Sequence, residues 1–184
     1  MRGDYNDSMD VVRPVVLVAP SPGSGSMVAS LDALRERCDL VFVEVPQDTS
    51  IEGCVAALDA ARAATGLDEV YVLGHGIGGL VAQEFALASP DWVRGLVLVS
   101  TLPSDGRLEE LDVPTLVIAG KHDTMIPPEP AAFLVFERIP DAELYLFERS
   151  GHHPHTEQPQ AFVTAVAEWM AELVSAPQSA SPPC

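Results

Sequence analysis

The stretch VYVLGHGIGGLVAQEF (Val70–Phe85) passes from an apolar run through a glycine-rich turn into the start of a helix. Its turn, Gly74-His75-Gly76-Ile77-Gly78-Gly79, carries two readings. It satisfies G-x-G-x-x-G, the dinucleotide fingerprint. It is also one residue removed from G-x-S-x-G, the strand–turn–helix that presents a nucleophilic serine, with Gly76 where the serine would stand. The surrounding chain has to decide between them.

Apolar runs alternate with amphipathic segments along most of the sequence. PVVLVAP (Pro14–Pro20), DLVFVEVP, Val70–Leu73, GLVLVS (Gly95–Ser100), PTLVIAG and AELYLFE read as six strands. Helices are expected over MVASLDALRERC, IEGCVAALDAARAAT up to Gly66, from the glycine turn to Ser89, near Pro130–Arg138, and over PQAFVTAVAEWMAELV. In the last of these, Phe162, Val166, Trp169 and Leu173 form one stripe suited to core packing. Strands apolar on both faces and alternating with helices imply an α/β protein: a three-layer αβα sandwich around a mainly parallel six-stranded sheet. Residues 14–174 read as that domain, 1–13 as an N-terminal tail, and 175–184, rich in Pro and Ser, as a disordered C-terminal tail.

In an open sheet of this kind ligands bind at the carboxyl ends of the strands, so the residues just after each strand carry the functional signal. A dinucleotide site needs an acidic residue at the end of the strand that follows the glycines. That strand ends in Ser100-Thr101, and two strand–helix units precede the glycine loop instead of none. The serine-type reading needs an acid after a later strand and a histidine later still. KHDTMIPPE places Asp123 after PTLVIAG, and RSGHHPHTEQPQAF places His152 after AELYLFE. The order is met, and the cofactor reading fails.

With these pieces on the page, the chain from about Pro14 to Val174 resembles the α/β-hydrolase superfamily. The matching segments are LGHGIGGLVAQEFALASPDWVRGLVLVST, VPTLVIAGKHDTMIPPE and SGHHPHTEQPQAF. The resemblance implies Asp123 as triad acid and His152 as triad histidine, with His153 and His155 as rivals that read more simply as solvent-facing or loop-bonding groups. It implies no cofactor and no metal. LVAPSPGSGSM looks like the family's oxyanion loop, with Ala19-Pro20 where His-Gly is usual. By position the backbone N–H groups of Ser21 and Ile77 would be the oxyanion donors, although a plain strand-to-helix turn stays open as an alternative. Pro20, His75 and Met125 are candidate pocket residues; His75 reads first as packing. Glu44, Asp48 and His122 read as loop or exposed groups. Only LPSDGRLEELDV separates GLVLVST from the next strand, so the site is expected to lack a cap and to be shallow and open.

Gly76 has no side chain with which to attack, which closes the usual acyl-enzyme route. Glycine does suit the strained conformation such a turn imposes. Three functions follow as expectations. The first is cofactor-free acid–base chemistry by a His152–Asp123 pair on a carbonyl-containing small molecule, as in a cyclase or lyase, with water activation as its hydrolytic variant. The second is a serine esterase or thioesterase inactivated by glycine at position 76. The third is a non-catalytic relative that binds a ligand or partner.

Composition narrows the partners. The formal net charge of the 184 residues is −17, with ten Lys and Arg, which argues against nucleic acid and anionic membrane. The sequence shows no signal-peptide pattern and no membrane-length apolar run, and Cys38, Cys54 and Cys184 have no metal-like spacing. The expectation is a cytoplasmic protein with a small-molecule substrate; the oligomeric state is not legible.

Overall fold

Six short strands line up side by side: β1 (Val15–Val18), β2 (Asp39–Phe42), β3 (Val70–His75), β4 (Val93–Val99), β5 (Thr115–Gly120) and β6 (Ala142–Phe147). In this computed structural model the described residues are 14–19, 31–46, 48–104, 107–129 and 131–175. Every pairing is parallel, in the order β2-β1-β3-β4-β5-β6. Each strand must therefore return through a crossover. The helices α1 (Ile51–Thr65), α2 (Ile77–Ala88) and α3 (Ala131–Arg138) carry three of those connections, and α5 (Pro159–Ser175) follows the last strand.

Alternate residues of each central strand feed two cores. Val72, Leu98 and Val117 face one side, packed with Leu58 of α1, Phe85 of α2 and Val135 of α3. Leu73, Val97 and Ile118 face the other, packed with Leu34 and with Phe162, Val166 and Trp169 of α5. The stripe expected on the last helix is thus buried at Phe162, Val166 and Trp169 and half-buried at Leu173, and the fold is a three-layer αβα sandwich. Cys38 and Cys54 are buried thiols within these layers, and burial pushes the Cys54 thiol up. Among the described residues no helix is long and apolar enough to cross a membrane.

Three elements differ from the sequence reading. The described part of the helix expected over residues 27–38 is a 3-10 turn, Asp32–Glu36, because β2 begins at Asp39 and leaves no room for another α turn. β2 stops at Phe42 because β1 offers only four partners, the last being Val18. A short helical turn that the sequence reading lacks, α4 (Pro154–Glu157), follows β6. β6 is also an edge strand: Glu143 and Tyr145 are exposed, whereas β3 and β5 are buried throughout.

Close backbone approach holds the glycine turn on the sheet. A Cβ on Gly74 would lie 2.6 Å from the carbonyl carbon of Gly78 and 2.7 Å from the Cα of Gly79. Only glycine lets α2 start so close to β3. Behind this contact, buried Gln83 ties α2 to the segment after β4. Its Nε2 donates to the carbonyls of Gly79 (3.0 Å) and Leu102 (2.9 Å), and its Oε1 accepts from the Ser104 amide at 2.8 Å. Gly74→Ala should therefore destabilise the protein by about 2 kcal/mol or more, because backbone must move to admit the methyl group. Gly66→Ala is the control: Gly66 has φ 69° with open space around its Cα, so only about 1 kcal/mol of left-handed strain is expected. Urea unfolding of both variants checks the difference; equal costs would mean that the β3–α2 contact is not tight.

Candidate active site

The strand ends β3, β4 and β5, together with the segment after β6, converge at one edge of the sheet. Gly76 closes β3 with φ 55° and ψ −120°, a conformation that side-chain-bearing residues rarely adopt. Three hydrogen bonds hold it there. Its N–H donates to the Val99 carbonyl (3.0 Å), and its carbonyl accepts from the Gly79 amide (3.0 Å) and from Thr101 Oγ1 (2.7 Å). Ile77 follows as the first residue of α2, 47% exposed, with its N–H in the first turn where no intrahelical acceptor exists.

Asp123 lies just after β5 and is buried. Its Oδ1 accepts from the backbone amides of Met125 and Ile126, both at 2.8 Å. Its Oδ2 faces His152 Nδ1 at 2.8 Å. With one carboxylate oxygen tied to the loop and the other on the imidazole, the His152 ring has a fixed orientation and its Nε2 is left for chemistry. That nitrogen points toward the glycine turn. Among the described residues, a Cβ built on Gly76 would meet one atom within 4 Å, His152 Nε2 at 3.8 Å.

Asp123, His152, Gly76 and Ile77 are therefore neighbours. His75 is beside them but buried: its Nε2 donates to the His152 carbonyl at 2.9 Å, and its ring centroid lies 4.7 Å from that of His152. Met125 gives its amide to Asp123, while its side chain is 71% exposed. Pro20 and Ser21 lie outside the described residues. Glu44, Asp48, His122 and His153 are exposed. His155 departs from the solvent-facing reading: it is 1% exposed, inserted between His75 and Phe162 with ring centroids 4.8 and 5.9 Å away. Pro154 opens α4 and turns the chain inward there. Thr101 and Glu157 were not among the sequence candidates. Thr101 acts on the backbone of a distant segment, which leaves no spacing signal, and Glu157 acts on amides four and six residues before it, in a loop whose path the sequence does not show. Among the described residues no group of three His, Cys, Asp or Glu side chains is placed to hold a metal ion.

A model of the family described as alpha/beta hydrolase matches residues 8–155. The chain belongs to the alpha/beta hydrolase family. A 2-hydroxy-6-oxononadienedioate/2-hydroxy-6-oxononatrienedioate hydrolase of Cupriavidus pinatubonensis is 36% identical over 64 residues, 35% of this chain and 22% of that protein. A pimeloyl-(acyl-carrier protein) methyl ester esterase of Aeromonas salmonicida is 28% identical over 110 residues, 60% of this chain and 41% of that one. The chain spans less than half the length of the curated relatives it matches. An alpha/beta hydrolase enzyme from the sediment metagenome of the Mar Chica lagoon, Morocco, superposes with a TM-score of 0.77 at 20% identity. The match covers 87% of this chain and 91% of that structure, and it shows the shared fold.

The buried imidazoles give the family member an acid-sensitive centre. Burial pushes His75 down to about 4 and His155 down to about 3 from 6.5; for His75 the hydrogen bond to the His152 carbonyl opposes the shift in part. The unfolded chain takes up both protons near pH 6.5, whereas the native one resists until much lower pH. The stabilisation is full above pH 6.5 and is lost as the pH falls toward 4. At pH 5 each group should cost on the order of 2 kcal/mol relative to neutral pH. His155 Nδ1 has no hydrogen-bond partner, so His155→Phe removes a titrating group without breaking a bond at that atom. Urea unfolding at pH 7 and pH 5 should show about half of the parent's loss in His155→Phe. A slope equal to the parent's would locate the acid sensitivity elsewhere.

Proposed function

We propose that this chain is a general-base hydrolase that acts on a carbonyl-containing small molecule without an acyl-enzyme intermediate. His152 is the base, Asp123 its orienting acid, and Gly76 the nucleophile position without a nucleophile. The observation that carries this reading is the 3.8 Å between a Cβ at Gly76 and His152 Nε2, with Nδ1 already engaged by Asp123. In this reading a water molecule takes the place of the missing side-chain oxygen. His152 Nε2 takes the water's proton, the hydroxide adds to the substrate carbonyl, and the imidazolium returns the proton to the leaving group as the tetrahedral adduct collapses. The Ile77 N–H, joined by that of Ser21, would stabilise the oxyanion. The hydrolase and esterase relatives favour hydrolysis over other uses of the same base. Proton abstraction beside a carbonyl, in a cyclase- or lyase-like reaction, uses the same two residues. The link from Ser100 to Pro114 between β4 and β5 supports an uncapped, open site.

A second reading has its own support. Gly76 keeps φ 55° and ψ −120°, and among the described residues a Cβ there meets only His152, so a serine would be accommodated at hydrogen-bond reach of the base. That is what a serine hydrolase disabled at one position would retain.

Gly76→Ser separates the two. The variant should form a covalent fluorophosphonate adduct, read by intact mass, and turn over an activated ester such as p-nitrophenyl acetate. His152→Ala in that background should slow both by about 10²–10⁴-fold. The parent should form no adduct yet hydrolyse the ester slowly, with a dependence on His152. Parent turnover unchanged by His152→Ala would overturn the general-base reading. Turnover confined to Gly76→Ser would establish the disabled hydrolase in its place.

A further inference from the structure

His152 reaches Gly76 from far across the sheet. It follows β6, an edge strand three positions from β3, so its loop has to lean back over roughly 14 Å of sheet. Residues 148–153 belong to no strand or helix that could fix this path. Side chains add to the backbone bonds that hold the loop around His152, among them the Thr156 and Glu157 amides on the His153 carbonyl, both at 2.9 Å. Glu157, the last residue of α4, spans the base: its Oε2 accepts from the Gly151 amide at 2.6 Å and its Oε1 from the His153 amide at 3.1 Å. His75 Nε2 takes the carbonyl between them, that of His152, at 2.9 Å. Next to this cradle Gln158 Nε2 donates to Ser150 Oγ at 2.6 Å, and the His122 amide donates to the Ser150 carbonyl at 2.9 Å. The loop also passes directly over Gly120, where a Cβ would lie 2.6 Å from the Ser150 carbonyl oxygen.

We propose that Glu157 is a positioning residue for the base: its two carboxylate oxygens clamp the peptide groups on either side of His152 and hold its Nε2 over Gly76. The inference rests on His152 being the base. A carboxylate suits the task because it offers acceptors on both oxygens and no donor, and charge-assisted hydrogen bonds to amides are the strong kind. A glutamine in its place would keep the shape but turn an NH2 group toward one of the two amides, so one half of the clamp would repel. Asp123 would then hold the imidazole at one atom while the loop carrying it swings. A displacement of about 1 Å at a reacting group is enough to lower a rate about 10²-fold.

The test uses the Gly76→Ser protein and its second-order rate of fluorophosphonate labelling, together with the kcat and KM of ester turnover. Glu157→Gln should slow labelling and lower kcat by tenfold or more, with KM and the melting curve unchanged. His152→Ala, run in parallel, keeps the two ideas apart. Labelling that is insensitive to His152→Ala removes the base assignment; labelling that falls with His152→Ala and not with Glu157→Gln removes the positioning role alone. If Glu157→Gln does not fold, the parent protein still decides. In its NMR spectra the Gly151 and His153 amide protons should shift together with the Glu157 side-chain carboxyl carbon as that group titrates. Amides that ignore the Glu157 titration would overturn the clamp.

Discussion

All strands of this sheet run the same way, so their carboxyl ends share one edge, and each crossover starts there. Both faces of the sheet are covered by apolar side chains, which leaves that edge as the place where polar groups from different segments can meet. Gly76 after β3, Thr101 after β4, Asp123 after β5 and His152 after β6 are neighbours because of this geometry, although 77 positions separate the first histidine of the cluster, His75, from the residue whose carbonyl it binds. The close fit of α2 against β3 at Gly74 then fixes how the glycine turn sits relative to the rest.

Much of the fold is legible in the sequence because burial on both faces leaves continuous apolar runs such as VYVL and TLVIAG. The strand lengths are less legible. β2 could extend past Phe42 by composition alone, and what stops it is the length of its partner β1. α4 escapes notice because four residues are too few for periodicity and a proline heads them. At the site, Asp123 and His152 stand out as polar residues directly after strands. The means by which His152 leans over Gly76 does not. Thr101 and Gln83 act on backbone groups of remote segments, where no particular spacing is needed, and Glu157 acts on amides four and six residues before it, where the path of the loop decides. The burial of His155 is hidden as well, since HHPH reads as a polar loop until Phe162 is seen to pack against it.

The two buried imidazoles beside His152, those of His75 and His155, are electrically quiet. Desolvation keeps His75 and His155 uncharged at neutral pH, so they supply shape and one hydrogen bond without competing with Asp123 for influence over His152. A charged side chain in either place would alter the field at the site directly. Neutral rings in a buried cluster give a low-polarity wall behind the His152 ring, where its hydrogen bond to Asp123 is strengthened by the exclusion of water.

Gln83 has a consequence for how such a chain can grow. Its amide group joins α2 to Leu102 and Ser104, and Thr101 is joined in turn to Gly76. Lengthening the chain anywhere from Ser100 to Ser104 would pull these bonds apart and leave buried carbonyls and amides unpaired. Beyond Leu108 the side chains return to the core, with Leu108, Leu111 and Val113 all buried. The hydrogen bonds that seat Thr101 against Gly76 thus also set the length of the chain that leaves β4, and a change of length there is a change at the site.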